Sequence, residues 1–420
     1  MNREVTTTRK LIACLLIYAH FLVGCVANSA STGAVKPGPG PSASNESQQQ
    51  YGSNVVPVTQ TGPKLDVVIP VFDPGLSEKA ENYEEEGVWP ELRRAEANRF
   101  AYKMKQALDA TGAFGAVRVS PDSKTTGDLY VIGAIQESDG EDVKIKLNVT
   151  DISGKTWFDR QFSHSVSEGF YKNYRKQGND PYDHLFEKAA NEIVEELNDQ
   201  KTAELHELKQ IAQLRFGASF NAETFNQYMD TSGRYYEVVA LPSDNDPMLE
   251  RVNAIRVREQ LFVDNLQTNY ASFNSQMEDS YLKWQEASFT EKKLRQEAQT
   301  KGLLKAIGGV LLIGLAVATA NNSSNGSFAT DTASAAATVA SGVAGAWMLS
   351  SSFQSFEEAK FHKESIDELG ESVNMEMAPQ VVSFEEETVQ LTGNVQEQYQ
   401  QWREFLQRIY EQEATPTTEL

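Results

Sequence analysis

The residues able to do chemistry are few. The 420-residue chain holds five histidines and two cysteines. His164, His184, His206 and His362 show no pair at metal-ligand spacing, and there is no His-Glu-x-x-His. His206 and His362 stand in charged helical sequence and read as solvated. His164 closes a strand and His184 opens a helix, so the fold decides whether they meet. Gly154-Lys155-Thr156 imitates the end of a phosphate-binding loop. The glycine such a loop needs at position 149 is Val149, and the triplet falls in a strand–strand turn. Gly38-Pro39-Gly40 has no strand before it, and no Gly-x-Ser-x-Gly elbow offers a serine nucleophile. Glu84-Glu85-Glu86 and Glu385-Glu386-Glu387 read as solvated faces. No catalytic residue, cofactor site or metal site is expected, and an enzyme is not the favoured reading.

Cys25 is the exception. Arg3, Arg9 and Lys10 precede an apolar run from Leu11 to Gly24, the layout of a secretory signal peptide over 1–24. The run is too short to span a bilayer as a mature helix. Its end, Leu22-Val23-Gly24-Cys25, resembles the lipobox of bacterial lipoproteins. That resemblance implies cleavage before Cys25 and lipid (palmitate among the acyl chains) on its thiol. An ordinary signal peptide with a chance cysteine, or an uncleaved anchor, is the bland alternative. Val26 follows the cysteine, where inner-membrane retention usually involves Asp, so delivery to the periplasmic side of the outer membrane is expected. Cys14 leaves with the signal peptide, so no thiol remains for a disulfide, a thiolate metal site or a nucleophile. Taking three basic residues and one acidic residue from 38 and 59 leaves 35 against 58, a net charge of -23. Such a chain does not hold nucleic acid by bulk electrostatics.

The elements that must position these residues follow. Residues 25–62 are rich in Ser, Gly, Pro, Asn and Gln and read as a disordered tether. An α+β domain is expected over 63–200, with a mixed or antiparallel sheet and packed helices. Leu65-Asp-Val-Val-Ile-Pro-Val71 is a buried strand. A helix from about Pro90 to Thr111 carries Ala97, Phe100, Ala101, Met104, Ala107 and Leu108, and Gly112 stops it. Strands are predicted at Ala116–Val119, Asp128–Ile135, Val143–Val149 and Thr156–Phe162. The third alternates strictly, with lysines and Asn148 on its wet face. A second helix with Phe186, Ala189, Ala190, Ile193, Val194 and Leu197 closes the unit.

Beyond residue 200 the pattern reads as helix throughout. A long helical region over 201–302 shows a seam of Leu249, Val252, Ile255, Leu261, Leu266, Phe273, Met277 and Leu282. A Gly/Ala-rich apolar helical hairpin is expected at 303–352. Gly308, Gly309 and Gly314 thin its first arm. Thr338, Gly342 and Ala346 recur every four residues on its second, and Trp347 and Lys305 share one end. Smooth faces let helices approach closely in lipid or in an oligomer, so these residues are membrane or oligomer-interface candidates. Helices are expected over 353–413, with Tyr399, Trp402, Phe405, Leu406 and Ile409 on one face, then a disordered tail at 414–420.

Val67-Val-Ile-Pro-Val-Phe72, Leu108-Asp-Ala-Thr-Gly-Ala-Phe114, Leu129-Tyr-Val-Ile-Gly133 and Val149-Thr-Asp-Ile-Ser-Gly-Lys155 resemble the α+β unit of curli-secretion (CsgG-like) lipoproteins and related flagellar lipoproteins. The resemblance covers roughly 64–200. Residues 391–406 resemble proteobacterial lipoproteins. It implies oligomer-forming or assembly factors at the outer membrane, with no catalytic residues to carry over. A structural or assembly role in transport, secretion or envelope integrity is therefore expected. Its partners would be the membrane, through Cys25 and the 303–350 hairpin, and proteins or further copies of the chain. A peripheral module binding a soluble ligand or protein is the alternative. An envelope hydrolase, the third reading, would need polar residues gathered around His164 or His184.

Overall fold

The β-branched run at 67–70 is covered on both faces, as its lack of alternation predicts. In the computed structural model, which describes residues 56–77, 83, 88–173, 179–243, 245–300, 364–371, 374–384 and 387–414, it forms β1 (Val67–Pro70) of an α+β fold. β1 pairs in parallel with β2 (Val117–Ser120) and with β3 (Leu129–Ser138). β3, β4 (Asp142–Asp151) and β5 (Thr156–Ser165) run antiparallel, giving a mixed sheet of order β2-β1-β3-β4-β5. On β4, Val143, Ile145, Leu147 and Val149 are buried, while Lys144, Lys146 and Asn148 lie on the other face. Asp151 holds the β4–β5 turn: Oδ1 accepts from the amides of Ser153 and Lys155, and Oδ2 from Trp157 Nε1. The Asp-x-Ser-Gly motif is thus a turn, not a phosphate loop.

The connection from β1 to β2 is α1 (Pro90–Thr111), started by proline at its first position and ended by Gly112 at φ 63°. After α2 (Glu168–Tyr171), a single turn, α3 (Asp183–Asn198) packs beside α1 on the sheet. Phe100 of α1 stands edge-on to Phe186 (5.3 Å) and to Tyr182 (6.3 Å). Order reaches further toward the N-terminus than the sequence suggests. Residues 56–62 run along α3, where Asn191 Oδ1 accepts from the Val56 amide and Asn198 Oδ1 from the Thr59 amide.

The region expected to be helix throughout contains four strands among its described residues. α4 (Thr202–Phe220) and α5 (Ala222–Asn226) lead to a small hairpin of β6 (Met229–Asp230) and β7 (Glu237–Val238). α6 (Pro247–Thr300) then runs for 54 residues, about 80 Å at the usual rise. Asp246 Oδ1 caps it by accepting from the Met248 and Leu249 amides. Val252, Ile255, Leu266, Phe273 and Met277 of the expected seam are buried, joined by Phe262, Val263, Tyr270, Tyr281 and Trp284. Leu261 is not part of it and is 50% exposed. Further on, β8 (Gln380–Phe384) and β9 (Glu387–Leu391) pair antiparallel where helix was expected. α7 (Val395–Ala414) follows, and its Tyr399, Trp402, Phe405, Leu406 and Ile409 are all buried. Asn394 and Glu397 bond each other's backbone amides, a reciprocal cap at the helix start.

α6 is fastened to successive neighbours along its length. Gln213 of α4 donates to Asn253, and Glu259 accepts from Tyr399 and Arg403 of α7. Phe262 stacks on Trp402 at 5.6 Å. Arg118 of β2 pairs with both oxygens of Asp264 (2.6 and 3.1 Å). Gln267 donates to the Val119 carbonyl and accepts from its amide. At the far end, Gly140 in the β3–β4 turn (φ 89°) comes so close that an added Cβ would lie 2.5 Å from Ser288 Cβ. Between these points lies a cluster of buried charges.

Candidate functional site

Glu96, Arg99 and Lys103 occupy positions three and four apart on α1 and so share one face. That face meets the start of α3 and the middle of α6. Arg99 Nη2 donates to Asp180 Oδ2 (2.6 Å), and Nη1 donates to Glu278 Oε2 (2.6 Å) and Asn274 Oδ1 (2.9 Å). Its guanidinium carbon stands 4.5 Å from the centre of the Tyr281 ring. Lys103 Nζ donates to Asp183 Oδ1 (3.0 Å) and lies 3.7 Å from Asp180. Gln285 Nε2 and the Tyr182 amide complete the donors to Asp180.

Burial alone would raise the Asp180 carboxyl. The cations of Arg99 and Lys103, with the Tyr182 amide, outweigh it and bring the pKa down to about 2. Glu96 shows the opposite outcome. Burial pushes its carboxyl up, and Arg93 with the hydroxyls of Ser138 (2.5 Å) and Tyr281 (2.7 Å) only partly offsets that. Both hydroxyls donate to Oε1, and buried Oε2 accepts no hydrogen bond. These groups face one another. Chemically, the arrangement joins three elements through charge.

A second polar cluster lies at the β3–β4 turn. Carboxylate oxygens of Glu137, Asp139 and Asp142 fall within 4.8 Å of one another, a spacing that suits a hard cation. Lysines supply the positive charge. Lys292 Nζ of α6 sits 2.8 Å from Asp139 and 2.5 Å from Asp142, and Lys144 Nζ sits 2.8 Å from Glu137. Beside it, Lys293 pairs with Glu141.

The histidines that the sequence left open do meet. Ring centres of His164 and His184 are 5.8 Å apart, and His184 Nδ1 lies 2.8 Å from Glu187 Oε2. His206 is exposed on α4, as expected, whereas His362 lies outside the described residues. A shallow pocket of about 360 Å³ adjoins His184 and Glu187, bounded by Val56, Asn191 and Glu195. A larger groove of about 750 Å³ runs between α6 and residues 368–378, lined by Phe273, Leu369, Met375 and Met377 together with exposed Glu368, Glu371 and Glu376.

The lipidation and interface candidates named from sequence cannot be placed beside these clusters. Cys25 and the hairpin residues Gly308, Gly309, Gly314, Thr338, Gly342, Ala346 and Trp347 all lie outside the described residues. No helix among the described residues is long and apolar enough to cross a membrane. Lys155 of the loop-like triplet approaches Glu204 of α4. The buried charges of α1 were missed because charged residues in a helix are read as solvated. The pattern does not set them apart: Glu91, Arg94, Asn98, Lys105 and Asp109 form a polar face of the same helix, and Glu96, Arg99 and Lys103 read as its continuation. No family model, curated protein or solved structure matches the chain at a significant level.

Proposed function

We propose that the chain is a lipid-anchored protein of the bacterial envelope with a structural, assembly role, delivered to the outer membrane through Cys25 and joining further copies or partner proteins. The observation carrying this reading is the bridging of α1, α3 and α6 by Arg99, Lys103, Asp180 and Glu278. Buried charge that helps to fix a helix of about 80 Å along a sheet domain gives a stiff, extended body. Stiffness at that length suits a component that sets distances within an assembly. The Leu-Val-Gly-Cys sequence supplies the anchor. The test is recovery of native complexes from membranes in mild detergent. Expected results are a mass above one chain by light scattering, label from radioactive palmitate, and release to the soluble fraction in Cys25→Ser. A strictly monomeric, unlabelled protein would overturn the proposal.

One observation favours a peripheral binding module instead. The groove between α6 and 368–378 joins sulfur-rich apolar lining to an acidic border, features of an adaptable surface for a cationic amphiphilic ligand. Deleting 303–350 separates the readings. A module keeps its ligand, whereas the assembly reading predicts loss of oligomers.

A further inference from the structure

We propose that His164 and His184 bind a divalent transition-metal ion of the zinc or copper class, with Glu187 setting the tautomer of His184. His164 stands opposite Val143 in the β4–β5 ladder, on the face that carries buried Phe158 and Phe162. That face is the one α3 covers, so His164 is aimed at the first turn of α3, which bears His184. The ring centres are 5.8 Å apart and the planes are tilted by 56°. With metal–nitrogen bonds of about 2.0–2.1 Å and near-tetrahedral angles, two imidazoles on one ion stand roughly 5–6 Å apart between centres. The observed pair already has that separation.

Glu187 supplies the second observation. Its Oε2 lies 2.8 Å from His184 Nδ1, so that nitrogen faces the carboxylate and Nε2 is the one left to meet an ion. A carboxylate behind a ligating imidazole is the usual support of such a ligand and raises its basicity. Half of the His184 side chain is exposed, so an ion can enter and waters can complete its coordination. Arg160, next along the same face of β5, is paired with Glu192 and Glu196, which offsets its charge. Imidazole donors select zinc, copper and nickel over magnesium and calcium. This separates the pair from the all-oxygen cluster of Glu137, Asp139 and Asp142.

The experiment is calorimetric titration of Zn²⁺ into metal-free full-length protein, with excess Mg²⁺ present. The expected result is one saturable equivalent, lost in His164→Gln and in His184→Gln, retained in Asp142→Asn, and weakened about 10- to 100-fold in Glu187→Gln. Circular dichroism melting without metal checks each variant. If His164→Gln melts early, the more exposed His184→Gln decides. Three outcomes overturn the proposal. Wild type could show no saturable Zn²⁺ binding, meaning ring packing only. Both histidine variants could bind as wild type does. Asp142→Asn alone could lose the ion, placing it at the acidic cluster.

Discussion

Gln267 of α6 bonds both backbone groups of Val119, accepting from its amide at 2.9 Å and donating to its carbonyl at 2.8 Å. Val119 belongs to β2, the outermost strand on that side of the sheet, whose outward amide and carbonyl would otherwise be orphaned. One side chain thus stands in for a missing strand. Gln267→Ala should leave both groups buried and unpaired, lowering stability by about 1–3 kcal/mol. Urea unfolding followed by tryptophan fluorescence measures it, and an unchanged midpoint would show that water replaces the amide at no cost.

Arg99 pairs with two carboxylates at once, Asp180 and Glu278. Arg99→Met removes this cation and leaves buried Asp180 with Lys103, at 3.7 Å, as its remaining positive charge. A loss of about 3–5 kcal/mol is expected, as for other buried pairs broken on one side. Restoring part of it with the double change Arg99→Met and Asp180→Asn would assign the loss to the stranded charge.

Asp180 and Glu96 should bend the pH profile of stability in opposite directions. The folded pKa of Asp180, about 2, lies below its ordinary value of 3.8. Its contribution is therefore complete above pH 4 and is lost as pH falls from about 4 toward 2. Glu96 is raised above its ordinary value of 4.5, so its contribution is complete below that pH and is lost as pH rises through the folded pKa. Glu96→Gln keeps an acceptor for Ser138 and Tyr281 and removes the buried charge. It should raise stability at neutral pH and leave the acid limb near pH 3 in place. A lower neutral-pH midpoint in this variant would show that the Arg93 contact outweighs burial.

Gly140 both adopts a positive φ and touches α6. Gly140→Ala adds backbone strain and a collision with Ser288, so more than about 1 kcal/mol should be lost. Hydrogen exchange should then quicken around 285–293, where Gln285, Phe289 and Lys292 line that contact. Uniform exchange along the whole of α6 would argue that the helix is held elsewhere.

Much of this fold is legible in the sequence because its signals are local. The α1 boundaries follow from a proline at one end and a glycine at the other, and β4 from strict alternation. The β8–β9 hairpin was overlooked although Val381-Val382 and Thr388-Val389 are β-branched, because the strong helical face from Tyr399 onward dominated the segment. The Asn394…Glu397 cap marked where the helix starts. Leu261 was misplaced for a different reason. A straight helical seam drifts around the axis over many turns, and α6 passes from α7 to β2 to α1, so its buried face changes with each partner. The buried charges were illegible because their partners are distant: Arg99 meets Asp180 across 81 residues and Glu278 across 179. Tertiary proximity of that kind leaves no periodic trace. The meeting of His164 with His184 is of the same type.

The two margins of the sheet are unequal. β2 is plugged by Gln267, whereas among the described residues no strand pairs with the outer side of β5, which carries Asp159 and Arg160 along its ten residues. A sheet open on both sides can be lengthened without limit, copy after copy. One open on a single side accepts one added strand, and two such sheets joined edge to edge leave nothing further to extend. Strand addition through the described sheet would therefore terminate at a pair. A fibre grown through its main sheet would first require Gln267 to let go of Val119.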